Sequence, residues 1–510
     1  MKKIRNFTRI ITAAFLLALI AGPAMAQDDG GGTLTVRLPT DVRNLDPAHW
    51  FSEYDKQVAL PLYDGLIRYI PGTYDTELVL ARTLEVSDDG TRIDFTLHEG
   101  VQCHDGYGEL TASDVKYSFE RFLDPANPSP YVDDWRPLQS VEVTGRYEGT
   151  IVLENAFAPL FSSTLPLMSG AVVCEEAVED IGIEAFAMNP VGTGPYMFGN
   201  WNPNRDVTLV RNPDYFGEQP YFDEIRFVII ADEQSAELAL RAGEVDFAQL
   251  QLSALALLER DPGIETNVYP GLSYRWIGMN VEHPKLQDVR VREAIRLAID
   301  VPSILIVAYE GLAEQSFALI AEGLPGYWED AGRFDQDLDA ARSLIEEAGA
   351  DGLQLRIDIA DTPEYRAWSQ VAQQNLRQIG VELTINTMDT GSFWEIGSGS
   401  EGKNVELFVM SFAMEPDPAW ATMWFTCDQV GGWNWMRWCS EEFDELHTRG
   451  LETVDEDERA EIYIRMQELM EEDAVAIWII HGATPYGNRP HIVPAHMPHG
   501  SPLFAHFEGR

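Results

Sequence analysis

Two apolar segments, Tyr274–Val281 and Ala474–Ile480, enclose a long succession of helix and strand patterns. Each has the length and composition of a buried strand. The tail that follows, residues 481–510, is too short to fold alone, so we expect it to return to the part of the chain before Tyr274. The chain would then cross twice between two lobes, and two crossing strands of this kind form a hinge.

Both predicted lobes alternate strands with helices, which favours an α/β fold. In the first lobe, the strand pattern Glu224–Ile230 is followed by the helix pattern Gln234–Arg241, and Val58–Ile70 also begins as a helical pattern. The predicted elements of the second lobe are a helix in Asp288–Asp300, the helix Leu338–Ala348, the strand Leu353–Ile359, the helix Tyr365–Ile379, the strands Val381–Thr387 and Leu407–Phe412, and the helix Asp455–Glu471.

The amino terminus has the pattern of a secretory signal peptide. Basic residues precede the apolar run Ile10–Ile20, and Ala24-Met25-Ala26 forms a small-residue cleavage site, which predicts a signal peptide over residues 1–26. The apolar run is shorter than the roughly 20 residues that a membrane-spanning helix needs. Because no cysteine directly follows the cleavage site to carry a lipid anchor, we expect a periplasmic protein.

The chain is strongly acidic, with a formal net charge of −47 at pH 7. Such a surface repels nucleic acid and anionic membranes, so neither is expected as a partner. The acidic residues are spread along the whole chain, which favours a solvated surface over a dedicated site for a cationic ligand. A hydrophobic fraction of 45% is sufficient for the cores of two or more domains.

The cysteines are typical of an exported protein. Cys103, Cys174, Cys427 and Cys439 form an even set without a C-x-x-C metal or redox motif. Three disulfide connectivities are open. Because Cys427 and Cys439 enclose a short loop, the pairs Cys427–Cys439 and Cys103–Cys174 are favoured.

Two glycine-rich segments resemble nucleotide-binding loops at first sight. Asn189–Tyr196 combines two prolines with Gly192 and Gly194, and it could cradle a phosphate, act as a hinge or connect two elements. A strand pattern follows it, whereas a phosphate loop opens a helix. Gly397–Asn404 matches GxxxxGK but has asparagine where serine or threonine must hold Mg²⁺. These motifs predict no cofactor.

Several motifs carry a resemblance to a known family. They are Asn189–Tyr196, Arg211-Asn212-Pro213-Asp214-Tyr215, Arg241-Ala242-Gly243-Glu244-Val245-Asp246, Asp288-Val289-Arg290-Val291-Arg292-Glu293-Ala294, and Glu347-Ala348-Gly349. In this order they resemble signature segments of the family 5 extracellular solute-binding proteins of bacterial transporters, the group that contains oligopeptide- and dipeptide-binding proteins. The resemblance covers almost all of the mature chain.

The resemblance implies a fold and a function. The fold would be the two-lobed α/β periplasmic binding protein fold (type II, cluster C), with an extra domain inserted in lobe I and lobes joined by two hinge strands. Its parts would be lobe I at 27–65, 191–277 and 481–510, the inserted domain at 66–190, and lobe II at 278–480. The function would be that of a monomeric, non-enzymatic binding protein of an ABC importer, which delivers a peptide or peptide-like solute to the permease subunits.

The resemblance also implies ligand contacts in both lobes. In lobe I they fall on Phe51, Ser52 and Glu53, although Ser52 equally suits a helix cap. In lobe II, Arg366 lies at or next to the position where dipeptide-binding members have an arginine that receives the peptide carboxylate. Arginine suits this role because it binds a carboxylate through two hydrogen bonds. The alternative for Arg366 is an exposed helix residue.

One departure from the family pattern bears on the ligand. Peptide-binding members carry an aspartate that pairs with the ligand α-amino group, and this chain, aligned on Asp417-Pro418, has Met414 there, next to Ala413. A thioether cannot replace that charge. Either Glu415, Asp417 or Glu53 substitutes for the aspartate, or the ligand lacks a free amino terminus.

Alternative functions follow from this departure. The same transport role could serve a non-peptide ligand, such as an oligosaccharide, an opine-like conjugate or a metal chelate. An exported hydrolase with paired carboxylates is less favoured, because the sequence contains neither a G-x-S-x-G elbow nor an H-E-x-x-H zinc motif.

Aromatic residues crowd the second lobe. They are Trp394, Phe412, Trp420, Trp424, Trp433, Trp435 and Trp438. Aromatic faces bind sugars, rings and methylammonium groups, whereas a single tryptophan more often belongs to the core. We expect one or two of them to line the pocket, with Trp394, Phe412 and Trp433 as candidates.

The tail contains His491, His496, His499 and His506. Their irregular, proline-separated spacing favours solvated histidines over a metal site.

Overall fold

The computed structural model describes residues 31–332 and 335–510, so the predicted signal peptide lies outside the described residues. The strands are β1 (Thr33–Leu38), β2 (Ile67–Tyr69), β3 (Thr76–Leu78), β4 (Ala81–Val86), β5 (Arg92–Leu97), β6 (Leu138–Val143), β7 (Glu148–Leu153), β8 (Tyr196–Asn202), β9 (Asp206–Arg211), β10 (Glu224–Ile229), β11 (Phe247–Gln249), β12 (Glu265–Tyr269), β13 (Ser273–Met279), β14 (Gln354–Ala360), β15 (Glu382–Met388), β16 (Leu407–Ala413), β17 (Ala476–Ile480), β18 (Thr484–Asn488), β19 (Ile492–Val493) and β20 (Glu508–Gly509). The helices are α1 (Glu53–Ala59), α2 (Ala112–Glu120), α3 (Glu175–Ile181), α4 (Ile183–Phe186), α5 (Glu233–Ala242), α6 (Leu252–Leu258), α7 (Val289–Ala298), α8 (Val301–Tyr309), α9 (Leu338–Ala348), α10 (Pro363–Arg377), α11 (Thr390–Ile396), α12 (Ala419–Thr422), α13 (Glu441–Glu452) and α14 (Glu456–Glu472).

The part that we call lobe I contains a seven-stranded sheet in the order β12-β18-β11-β1-β10-β9-β8 and a four-stranded sheet in the order β4-β5-β7-β6. In the larger sheet, β1 runs parallel to both β10 and β11. One hydrophobic core joins the two sheets, because Leu34 of β1 and Ile93 of β5 belong to the same buried cluster. The tail contributes β18 to the larger sheet and packs Phe504 into this core.

The part that we call lobe II is built on a five-stranded sheet in the order β15-β14-β16-β13-β17. Side chains of β13 alternate between two cores: Tyr274 and Trp276 pack on one side, Ile277 and Met279 on the other. Because both faces of the strand are buried, most of its residues are apolar, and its one charged residue, Arg275, forms an ion pair with Glu364.

The chain passes between these two sheets twice, at residues 270–272 after β12 and at residues 481–483 after β17. The crossings lie side by side, since a Cβ added to Gly271 would lie 3.0 Å from the carbonyl oxygen of His481. Gly482, in the second crossing, has a φ of +83°, a conformation that glycine adopts without strain.

The Asn189–Tyr196 segment is a turn that packs tightly on lobe I. A Cβ on Gly192 would lie 2.1 Å from the carbonyl oxygen of Leu62, so only glycine allows this close approach. Thr193, between the two glycines, donates a hydrogen bond from Oγ1 to the buried Oδ2 of Asp64 (3.1 Å). The turn therefore fixes a buried carboxyl group of the scaffold.

Asp64 should make the stability of the protein depend on pH. Burial raises the pKa of Asp64 to about 6, although Tyr215 and Thr193 donate hydrogen bonds to it. A pKa above the unfolded value means that ionisation opposes folding, so the contribution of Asp64 to stability is largest below about pH 4 and is lost as the pH rises through 6. We expect the difference in unfolding free energy between Asp64→Asn and wild type to grow by about 2 kcal/mol from pH 4 to 7. Urea denaturation at each pH measures it, and a constant difference would contradict the prediction.

Two helix predictions need correction. Helix α1 ends at Ala59 and is followed by a 3₁₀ turn that contains Pro61 and by strand β2, so the helical pattern of Val58–Ile70 was wrong beyond its first residues. Proline lacks the N–H that a continuing helix requires. The helix predicted within Asp288–Asp300 ends at Ala298, and Asp300 caps a second helix, α8, that begins at Val301.

Both favoured disulfides are present. Cys103 bonds to Cys174 in the part of lobe I that contains the four-stranded sheet, and Cys427 bonds to Cys439 in lobe II. Within the described part of the chain there is no free cysteine.

The histidines of the tail are packed more closely than the sequence indicated. His496 is 6% exposed and its Nδ1 lies 3.1 Å from the Tyr269 hydroxyl, while Nδ1 of His499 lies 3.3 Å from the Tyr74 hydroxyl. Burial lowers the pKa of His496 to about 4. The prediction of solvated histidines was therefore wrong for these two residues.

Candidate ligand-binding site

A cavity of about 300 Å³ lies between lobe I and lobe II, and we call it the interlobe cavity. Four stretches of chain form its wall: residues 50–56, which include the first turn of α1, the segments 130–134 and 163–169 of lobe I, and the segment 413–424 of lobe II. The lining residues are Trp50, Lys56, Pro130, Tyr131, Asp133, Asp134, Ser163, Leu167, Met168, Ser169, Ala413, Met414, Glu415, Trp420, Met423 and Trp424.

Lys56 joins the two lobes at the cavity wall. Its Nζ lies 2.9 Å from Glu53 of the same helix and 3.3 Å from Glu415 of lobe II, and only 8% of its side chain is exposed. Burial alone would lower the pKa of Lys56, but Glu415 and Glu53 outweigh burial and raise the pKa above its usual value. The side chain is therefore a fixed positive charge that bridges the cleft.

Asp134 is a second charged group of the wall. It lies in a 3₁₀ turn, Val132–Trp135, and its Oδ2 accepts a hydrogen bond from the Ser169 hydroxyl. Burial raises the pKa of Asp134 to about 7, and the negative charges of Glu415 and Asp133 act in the same direction. Near neutral pH this carboxyl group therefore exists in both protonation states.

Aromatic rings supply much of the apolar surface. Trp50 stacks on Tyr131 with ring centroids 4.2 Å apart, and the Lys56 ammonium lies 5.4 Å from the Trp50 ring centroid. On the lobe II side, Trp420 donates an indole hydrogen bond to Ser163 Oγ across the lobes (2.8 Å). Within the described part of the chain, the buried indole N–H groups of Trp50 and Trp424 have no hydrogen-bond partner.

The three predicted contacts of lobe I have different surroundings. Ser52 caps α1 through a capping box with Asp55, which is the alternative that the sequence left open. Glu53 pairs with Lys56 and accepts a hydrogen bond from Ser501 Oγ (3.1 Å). Phe51 is 66% exposed, with the Arg43 guanidinium 4.4 Å from its ring centroid.

Arg366 lies in the first turns of α10 and forms an ion pair with Asp361. Half of its side chain is exposed. It is not among the described residues that line the interlobe cavity.

The predicted residues at the end of β16 are divided between cavity and core. Ala413 and Met414 line the cavity. Asp417 is fully buried: its Oδ1 accepts hydrogen bonds from Arg459 (2.7 Å) and from the Ala419 backbone N–H (2.8 Å), and its Oδ2 accepts one from the Ser162 hydroxyl of lobe I. Both carboxylate oxygens of Asp417 are thus engaged within the protein.

The aromatic candidates form one cluster behind the cavity. Phe412 contacts Trp424 of the cavity wall, with centroids 5.6 Å apart, and also packs near Trp394 and Trp433. Trp394 is 37% and Trp433 48% exposed, whereas Trp435 and Trp438 belong to the lobe II core. The cluster extends from the cavity wall to the surface.

Sequence reasoning missed Lys56, Asp134 and Tyr131. A lysine in an amphipathic helix and an aspartate among many acidic residues carry no local signal, because their partners are distant in the chain.

Two structural features are absent from residues 31–332 and 335–510. No helix there is both long and apolar enough to cross a membrane. The same residues contain no group of three or more histidine, cysteine or acidic side chains arranged to hold a metal ion.

Comparisons with known proteins identify the family of the chain. The family described as "Bacterial extracellular solute-binding proteins, family 5 Middle" matches residues 76–433. The chain is 27% identical over 450 residues to the dipeptide-binding protein of Escherichia coli, covering 83% of this chain and 84% of that one. It is 27% identical over 473 residues to the glutathione-binding protein GsiB of Shigella dysenteriae, covering 90% of each.

A solved structure extends the comparison to the fold. The ABC transporter-associated periplasmic binding protein DppA from Helicobacter pylori, in complex with the peptide STSA, superimposes with a TM-score of 0.76 at 25% identity, over 95% of this chain and 99% of that one. The predicted fold class is confirmed. The prediction of a non-enzymatic function is also confirmed, since the family and these relatives are binding proteins. The chain belongs to the bacterial extracellular solute-binding proteins of family 5.

Proposed function

We propose that this protein is the periplasmic substrate-binding component of an ABC importer and captures a peptide or peptide-like solute in the interlobe cavity. The observation that carries the proposal is the cavity itself, which is lined from lobe I by Trp50 and Lys56 and from lobe II by Ala413 to Glu415. A ligand that touches both walls stabilises the closed arrangement of the lobes. Closure would then be the signal that the permease recognises.

The size of the cavity favours a short peptide. Its volume of about 300 Å³ is at the lower end of the range for small-molecule sites. A dipeptide or tripeptide suits this volume better than a long oligopeptide does. The names of the relatives, a dipeptide-binding and a glutathione-binding protein, are compatible with a ligand of this size.

The amino-terminal sequence and the net charge support a periplasmic location and a partner other than nucleic acid. Residues 1–26 have the pattern of a signal peptide for export to the periplasm, where we place the protein as a monomer. A net charge of −47 disfavours nucleic acid as a partner. The partner is the permease in the inner membrane.

We expect a dipeptide with an apolar side chain, such as Ala-Phe, to bind and stabilise the protein without being hydrolysed. At a concentration 100 times its Kd, a ligand that binds only the folded state adds about 2.7 kcal/mol to the unfolding free energy. Thermal unfolding with and without Ala-Phe measures the stabilisation, and mass spectrometry of the incubated mixture measures hydrolysis. The proposal fails if the peptide is cleaved or if no peptide raises Tm.

A pair of variants tests the location. Ala413 and Ala185 are both exposed, but Ala413 lines the interlobe cavity whereas Ala185 lies on α4. Ala413→Trp fills part of the cavity and should weaken Ala-Phe binding at least tenfold, while Ala185→Trp should leave the affinity unchanged. Mass spectrometry of small molecules that co-purify with wild type and with Ala413→Trp would identify the natural ligand.

A further inference from the structure

The carboxylates of the interlobe cavity differ in their partners. Glu415 lies 3.3 Å from the Lys56 ammonium, and Asp133 forms an ion pair with Arg136. Asp134 forms no ion pair with any described residue, although it lines the same cavity. Of the three acidic residues that line the cavity, Asp134 is therefore the one without an ion pair to a described residue.

The position of Asp134 is rigidly defined. The Ser169 hydroxyl donates a hydrogen bond to its Oδ2, and Thr164 Oγ1 donates one to its backbone oxygen (3.2 Å). The next residue, Trp135, is 1% exposed and donates its indole N–H to the Ser169 carbonyl (2.9 Å). A carboxylate held in this way is preorganised, so binding a cation does not require its side chain to be ordered first.

The aromatic wall beside it also suits a cation. Trp50 and Tyr131 stack on each other and line the same cavity, and the Trp50 ring already has the Lys56 ammonium 5.4 Å from its centroid. Cations over aromatic faces are favourable by cation–π attraction, and more so where water is excluded.

We propose that Asp134 is the residue that receives the cationic group of the ligand, a primary ammonium or a guanidinium. This inference rests on the proposed function and names the chemistry of its ligand: a solute with a free amino terminus or a basic group. Met414 carries no charge and Glu415 is matched by Lys56, so the ligand cation pairs with lobe I at the segment 130–134. The free amino terminus that Met414 placed in question would thus have a partner in the other lobe.

The assignment predicts a pH dependence of binding. The charged groups that face Asp134 are Glu415, Asp133 and Lys56, and burial together with the two acids raises its pKa to about 7. A cation pairs with the ionised carboxylate, so below pH 7 the group must lose a proton before it binds. Affinity for a ligand should rise about fivefold between pH 6 and 7, and for a ligand whose cation stays protonated it should level off above pH 8.

The experiment compares Ala-Phe with N-acetyl-Ala-Phe, which lacks the ammonium group, by titration calorimetry on the mature chain. We expect wild type to bind Ala-Phe at least 30-fold more tightly than the acetylated peptide. Asp134→Asn should reduce this preference to less than threefold and remove the pH dependence. Asp351→Asn, at an exposed aspartate outside the interlobe cavity, is the control and should behave as wild type.

A measurement of Tm and a non-peptide probe distinguish failure of the Asp134 assignment from misfolding of the variant and from failure of the proposed function. Because an ionised buried carboxylate opposes folding, Asp134→Asn should have a Tm at pH 8 at least equal to that of wild type. The assignment is overturned if Asp134→Asn keeps the wild-type preference for Ala-Phe over the acetylated peptide, or if the preference is lost in Glu415→Gln but not in Asp134→Asn.

If no peptide binds wild type, the proposed function fails. Agmatine then serves as a non-peptide probe: binding that is lost in Asp134→Asn supports the assignment, and absence of binding overturns it.

Discussion

Arg459→Met is expected to lower the free energy of unfolding by about 3–5 kcal/mol. The Arg459 guanidinium pairs with Asp417 at 2.7 Å, and their side chains are only 4% and 0% exposed. Burial of Arg459 opposes its charge, but Asp417 outweighs burial and raises the pKa of Arg459 above its usual value. Removal of the arginine leaves a buried carboxylate without its counter-ion, and such a charge is far more costly than a lost surface contact.

Chemical denaturation at pH 7 measures the loss. Arg449→Met is the matched control, because Arg449 pairs with Glu458 at 3.4 Å and both side chains are 57% exposed. An exposed pair of this kind contributes less than about 1 kcal/mol. The double variant Arg459→Met/Asp417→Leu should recover much of the loss, since it removes both buried charges. Equal effects of Arg459→Met and Arg449→Met would contradict the importance of the buried pair.

Loss of the Cys103–Cys174 disulfide is expected to cost about 4 kcal/mol, more than loss of Cys427–Cys439, for which we expect about 3 kcal/mol. The reason is the length of chain that each bond closes in the unfolded state: the cysteines are 71 residues apart in the first pair and 12 in the second. A longer closed loop removes more conformational entropy from the unfolded chain.

The two double alanine variants, compared with wild type by urea denaturation under oxidising conditions, test this order. Each variant leaves the other disulfide intact and so serves as its control. The opposite order would show that strain or residual structure, rather than loop length, decides the contribution of each bond.

The scaffold could be predicted from sequence because its signals are local. Strand β13 has apolar residues on both faces, since Tyr274 and Ile277 enter different cores. The Asn189–Tyr196 segment is recognisable because Gly192 leaves no room for a side chain against Leu62. Helix α8 was not predicted, because the apolar pattern places Asp300 at the end of one helix. In the structure Asp300 caps the next helix.

The candidate site was harder to predict because its contacts are distant in sequence. Lys56 and Glu415 are 359 positions apart, and nothing in the sequence around either residue identifies the other. Asp134 is important for what it lacks, a cationic partner, and the absence of a contact leaves no pattern in a sequence. Ala413 and Met414 line the interlobe cavity, and the sequence could point to this position because the residues after β16 can be aligned on Asp417-Pro418.

The two crossings between the sheets limit how the lobes can move. The segments 270–272 and 481–483 are each three residues long, and three extended residues span roughly 10 Å. With two such tethers side by side, the lobes cannot translate apart, and the easy degree of freedom that remains is rotation about the line through Gly271 and Gly482. Displacement then grows with distance from this axis, so a small change of angle at the tethers becomes a wide opening at the far rim.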